Sequence, residues 1–161
     1  MLSADASSSE AAFVQRSDSP ATPTAIVDLP FRPGHRWQGT YICSQGKSTL
    51  VLTVEGIGGD GQNITLDALF EFAYDGRGNA GYAAASGSAR MQGAYDPKTR
   101  RLRFEGGEWI EQPPNYGLVT LVGSLNKTTG AYIGTVEGPG CTSFTALPTG
   151  DLPRSLPRPG P

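Results

Sequence analysis

Residues Trp37–Tyr41 read WQGTY, and Met91–Tyr95 read MQGAY. Each run is strand-like except for a central glycine, which ordinarily weakens a strand because it brings no side chain to pack. Gly123 and Gly134 stand in the same way inside apolar runs, two residues ahead of Leu125 and Val136. A sheet that must curl tightly places glycines or bulges at its bends, whereas a flat two-sheet sandwich has less need of them in four separate strands. The four glycines therefore favour a rolled sheet, provided that the chain around them is β.

The surrounding sequence meets that condition. Asn63–Ala73 (NITLDALFEFA) places Ile64, Leu66, Ala68, Phe70 and Phe72 on one face and Asn63, Thr65, Asp67, Leu69 and Glu71 on the other. An alternation of period two over ten residues marks a half-buried strand. Leu50, Leu52 and Val54 alternate in the same way, as do Leu102 and Phe104 against Arg101 and Arg103. No apolar stripe of helical period follows a helix cap. About eight strands are expected, near 37–43, 49–55, 63–73, 88–96, 100–105, 116–125, 131–137 and 142–147.

Two connections share one form. Asp96-Pro-Lys-Thr99-Arg100 and Asn126-Lys-Thr-Thr129-Gly130 each open on Asx and carry Thr three places later. An Asx side chain accepts backbone N–H groups and starts a tight turn. The residue after Thr is then expected near left-handed geometry, at no steric cost for Gly130 and with some strain for Arg100. Repeated hairpins in sequence order make a meander. An even number of meandering strands lets the first pair with the last and close, which abolishes the sheet edges. The expected fold is all-β, a small antiparallel up-and-down barrel of about eight strands, with a two-sheet β-sandwich as the alternative.

Cys43 ends the first expected strand and Cys141 precedes the last. In a closed meander those strands are neighbours, so a Cys43–Cys141 disulfide is expected to fasten the seam; two buried thiols are the alternative. A bridge implies an oxidising, extracytoplasmic or secreted setting. Residues 1–12 lack the basic start and apolar stretch of a secretory signal. Asn63-Ile-Thr65 and Asn126-Lys-Thr128 are acceptor sequences for glycosylation in a eukaryotic secretory route.

In outline the chain resembles avidin-type and lipocalin-type barrels, on the strength of a tryptophan, Trp37, near the start of the first strand followed by Gly39-x-Tyr41. The resemblance implies architecture alone, because the ligand-contacting residues of those families find no residue-by-residue match here.

The barrel is expected over 35–147, between a flexible segment at 1–34 rich in Ser, Ala, Asp and Pro and a proline-rich tail at 148–161. Pro20–Pro23 and Pro30–Pro33 have the Pro-x-x-Pro spacing that docks on aromatic grooves, and a linker is the plainer reading. Thirteen bases against fifteen acids, a net charge of −2, leave no clustered basic excess for nucleic acid. No apolar run reaches the length of a membrane span.

Catalytic patterns are sparse. The one histidine, His35, precedes the first strand, and no Gly-x-Ser-x-Gly elbow surrounds any serine. Four ligands for zinc are not assembled, and the Gly58–Asn63 loop lacks the acidic spacing of a calcium site. No cofactor or metal is expected. Glu105, Glu108 and Glu111 crowd the segment FEGGEWIEQPPNYG, and paired carboxylates there would serve a hydrolase or isomerase. The same segment carries Trp109 and Tyr116 beside Pro113 and Pro114. Rings on a proline-stiffened loop lose little entropy on binding, or else plug one barrel mouth as a lid. Trp37 and Tyr41 share one strand face as core or pocket lining. The expected function is a non-catalytic binding module that uses Trp109, Tyr116, Glu108, Glu111, Trp37 and Tyr41 toward a small molecule, glycan or protein. Self-association of the chain remains open, and the alternative is the carboxylate-dependent enzyme.

Overall fold

The structure is a computed structural model that describes residues 29–149. Most of the expected N-terminal linker, including Pro20–Pro23, and the proline-rich tail beyond Thr149 lie outside the described residues.

Eight strands follow one another as β1 (Arg36–Cys43), β2 (Gly46–Gly59), β3 (Ile64–Tyr74), β4 (Ala85–Asp96), β5 (Arg101–Glu111), β6 (Thr120–Leu125), β7 (Tyr132–Glu137) and β8 (Ser143–Pro148). Each pairs antiparallel with the next, and β1 pairs with β8, so the sheet closes into a meander barrel. The seam runs through Gly39↔Ala146 and Tyr41↔Phe144. At its rim Cys43 and Cys141 form the disulfide.

The glycines of the two similar runs do different things. A Cβ on Gly39 would overlap the Thr145 carbonyl oxygen and lie 2.7 Å from the Ala146 Cα, so here two backbones meet at the bend that closes the barrel. On Gly93 it would lie 2.6 Å from the Phe104 ring, which occupies the space the missing side chain leaves. Gly123 faces Gly134 across β6 and β7, and a Cβ on Gly134 would overlap the Val122 carbonyl. Three of the four glycines thus let backbones approach at bends, and Gly93 makes room for a ring.

The two matching turns form as the sequence indicates. Asp96 Oδ1 accepts from Lys98 N at 2.9 Å, and Asn126 Oδ1 accepts from Thr128 N and Thr129 N, each at 2.8 Å. Arg100 has φ 64° and Gly130 has φ 77°. A side chain in left-handed geometry costs about 1–2 kcal/mol, while glycine loses roughly 0.5–1 kcal/mol more chain entropy on folding. Arg100→Gly is therefore expected to stabilise the barrel by up to about 1 kcal/mol, read as a higher urea midpoint at unchanged m value.

Two strands run on well past their expected ends, for a common reason. β2 runs on to Gly59 past a register shift between Val54 and Gly56. β5 runs on to Glu111 past two shifts, opposite Arg90/Met91 and Ser88/Ala89. Each bulge inserts one unpaired residue and breaks the period-two pattern. Residues 106–111, expected in a loop, are therefore strand; β6 begins at Thr120, not at the expected residue 116.

One half of the interior is solid core. Trp37, Leu50, Leu52, Phe104, Leu121, Tyr132 and Phe144 are all buried. The Trp37 ring centroid lies 5.7 Å from that of Tyr132, and Tyr132 lies 4.6 Å from Phe144. Polar atoms in this core are satisfied. Trp37 Nε1 donates to the Gly130 carbonyl at 3.0 Å, and the Tyr132 hydroxyl donates to the Leu102 carbonyl at 2.7 Å. Phe31, ahead of β1, caps this end with its ring 5.1 Å from Tyr95 and 6.1 Å from Trp37.

Candidate functional site

The opposite mouth is open. It is framed by Ser44 and Gln45 between β1 and β2, by the 75–84 loop, by residues 112–119 and by the turn at Pro139–Cys141. Between them lies a cavity of about 240 Å³. Its inner wall is Phe70, Ala89 and Met91, and higher up stand Tyr41, Phe72, Trp109 and Tyr116. Phe72 is the hub of this aromatic wall. Tyr116 stacks on it at 5.2 Å and 29°, and Trp109 meets it at 6.2 Å and 64°. Tyr41 stands 6.3 Å away at 85°.

Local structure explains why Tyr116 reaches inward. Gln112 Nε2 donates to the Tyr116 carbonyl at 2.8 Å, and Tyr116 N donates to the Pro113 carbonyl at 3.3 Å. Asn115 between them has φ 70°, a left-handed geometry that asparagine tolerates better than most residues. Pro113 itself is buried above Gly87, where a Cβ would lie 2.8 Å from Pro113 Cδ. The loop is thus a braced turn that hangs over part of the mouth.

Polar groups inside are few. Gln45 Nε2 donates to Ser48 Oγ at 3.0 Å, both residues being buried. Burial pushes the Tyr41 hydroxyl well above the ordinary tyrosine range, while hydrogen bonds with Ser48 and Gln45 pull the other way. The Tyr74 hydroxyl accepts from Gly78 N at 2.7 Å. The Tyr116 hydroxyl is different: its oxygen is shut off from solvent and has no hydrogen-bond partner among the described residues. Burial raises its pKa, and the neighbouring Tyr74 and Tyr82 add to the effect. No Asp, Glu, Lys or Arg lines the cavity among the described residues.

The residues singled out from sequence separate in space. Tyr41, Trp109 and Tyr116 come together at the mouth. Trp37 lies at the filled end, fully buried. Glu108 and Glu111 are exposed, with Glu108 opposite Arg90 on β4. Glu105 is also exposed and pairs with Arg103 at 3.1 Å. Crowding of these acids along the chain is therefore not convergence in space. Sequence reading missed Phe72, Met91, Ala89 and the Gln45–Ser48 pair. Phe72, Ala89 and Met91 carry the same inward alternation as core residues, so no local signal separates them from packing. A buried Gln and Ser at the rim of a hairpin leave no pattern at all.

Tyrosine burial has a testable consequence for the whole barrel. The Tyr132 hydroxyl, like that of Tyr41, is held far above its ordinary value by burial. Such a group stays protonated when folded and ionises when unfolded once pH passes about 10. Its stabilisation is complete below that point and is lost as pH rises further. Stability is expected to hold up to about pH 9 and to fall above about pH 10, as read by urea unfolding across the alkaline range.

The sequence matches no protein-family model, and no curated protein matches it.

Proposed function

We propose that the chain is a non-catalytic binding module whose barrel mouth receives a small uncharged ligand. The observation that carries this reading is the cavity itself, walled by Tyr41, Phe72, Trp109 and Tyr116 and free of charged lining among the described residues. A concave, mostly apolar site with aromatic walls and a few placed polar groups is the usual form of a small-molecule pocket. An ionised ligand would have to leave water with no counter-charge to meet it. A second reading, contact with a protein or glycan, draws on the exposed apolar side chains of Tyr82, Ile110 and Leu118. The disulfide fits an oxidising compartment outside the cytoplasm, and the proline-rich ends fit tethers to other parts of an assembly.

Thermal melting against a set of uncharged one- and two-ring fragments, each matched with its carboxylate, tests the first reading. A fragment present at a hundred times its Kd stabilises by about 2.7 kcal/mol, so fragment hits are expected to raise Tm by several degrees while the matched carboxylates do not. Trp109→Ala is expected to weaken those hits at least about tenfold, since large aromatic anchors dominate binding. Because the ring is only half-buried, its own Tm should drop by only a few degrees. A set in which no fragment raises Tm contradicts the proposal.

A further inference from the structure

We infer that the mouth receives a Leu-Pro unit from residues 150–161 of a second copy, so that copies join mouth to filled end. The inference rests on the mouth being a receiving site for an uncharged group, as proposed above, and names the occupant. Sequence supplies the first argument. Residues 152–158 read LPRSLPR, in which Leu-Pro-Arg occurs twice, at Leu152–Arg154 and Leu156–Arg158. Proline-rich segments dock on aromatic-lined grooves because proline already restricts φ, so less chain entropy is lost on binding. The mouth offers such walls: Trp109, Tyr116 and the exposed Tyr82 line it above an apolar floor of Phe70, Ala89 and Met91. Its volume of about 240 Å³ exceeds the roughly 150 Å³ that holds one benzene ring. That leaves room for a leucine side chain and the proline ring beside it.

Reach decides whose segment it is. Thr149 N donates to the Arg36 carbonyl at 2.8 Å, so the chain leaves β8 at the filled end. A fully extended chain covers at most about 3.6 Å per residue, which puts Leu152 within roughly 11 Å of Thr149. The mouth lies beyond the six residues of β8, roughly 20 Å of strand. The first Leu-Pro unit therefore falls short of its own mouth, whereas the mouth of a neighbour set against the filled end is close by. Charge favours that alignment. Counted over the turns and the four strand residues nearest each, with residues 31–35 included, the filled end carries seven Lys and Arg against three Asp. The mouth end carries two Lys and Arg against five Asp and Glu. Lys98, Arg100, Arg101 and Lys127 of the filled end have no ion pair among the described residues, and Arg154 and Arg158 against Asp151 extend the same sign. Ends of opposite sign attract when copies align head to tail, and such contacts build rings or open chains.

Sedimentation of the full chain over a wide range of concentration tests this. Association is expected to grow with concentration and to weaken at least about threefold between about 0.05 M and 0.5 M salt, as screening removes attraction between exposed charges. Leu152→Ser/Leu156→Ser is expected to leave a monomer under the same conditions with Tm unchanged. A synthetic peptide of residues 150–161 added to that monomer should move the Trp109 indole signal in a proton–nitrogen correlation spectrum and compete with any fragment that raises Tm. Trp109→Ala in the same background should weaken the peptide at least about tenfold. A full chain that stays monomeric at every concentration, or a double-leucine variant that associates like the wild type, would overturn the inference. A peptide that leaves the Trp109 signal in place while fragments still bind would overturn this occupant and leave the small-ligand site. Binding by neither peptide nor fragments would overturn the small-ligand reading as well.

Discussion

Replacing Cys43 and Cys141 together by serine is expected to destabilise the barrel by about 4–5 kcal/mol. The bridge spans 98 residues, and a cross-link that closes about a hundred residues removes that much entropy from the unfolded chain. In a domain of this size the loss corresponds to a fall in Tm on the order of 15 °C. The effect should extend beyond global stability. Both cysteines line the open mouth where β1 meets β8, so ligand affinity at the mouth is expected to drop in the same variant at temperatures where the barrel is still folded. Calorimetry of oxidised, reduced and double-serine protein checks the first part, and titration with the fragments that raise Tm checks the second. A Tm change of only two or three degrees would show that the seam holds without sulfur.

Gly39→Val is expected to be the most damaging single substitution, costing at least about 3 kcal/mol, at the upper end of what overpacking does. The atoms in its way are the backbone of Thr145 and Ala146, which have no rotamer to change and which hold the closing hydrogen bonds of β1 with β8. Gly93→Ala makes the informative contrast. Its obstacle is the Phe104 ring, so a cost of roughly 1–3 kcal/mol is expected, and Phe104→Leu in the same chain should restore part of it. No side-chain truncation should rescue Gly39→Val. Urea unfolding of the two single variants and the Gly93→Ala/Phe104→Leu double variant decides this. A cost for Gly39→Val no larger than that for Gly93→Ala would mean that no backbone stands in the way at Gly39.

Those two glycines also show how far the sequence could be read. Glycine inside alternating strands signals a tightly rolled sheet, because curling brings backbones together and that requirement is local. Bringing Cys43 and Cys141 together at the seam follows from the same closure. What each glycine faces was not legible, since the Thr145 carbonyl and the Phe104 ring arrive from other strands. The site was harder still. Trp109 stands out by composition, yet its strand is hidden behind two bulges that break the alternation. Trp37 and Tyr41 share one strand face and are four residues apart, which on sequence grounds makes them equivalent. The barrel sets one in the filled end and the other in the mouth, because Phe31 and Tyr132 pack their rings against Trp37.

The proposal that the interior is divided into a packed end and a ligand-receiving end is most directly tested by the two indole N–H signals in a proton–nitrogen correlation spectrum. The chain has two tryptophans, one at each end, and Trp37 Nε1 is tied to the Gly130 carbonyl. Titration with an uncharged ring fragment that raises Tm is expected to move the Trp109 indole signal progressively to saturation and to leave that of Trp37 in place. Movement of the Trp37 signal with Trp109 unchanged, or of neither while heat of binding is recorded, would contradict a ligand site at the open mouth.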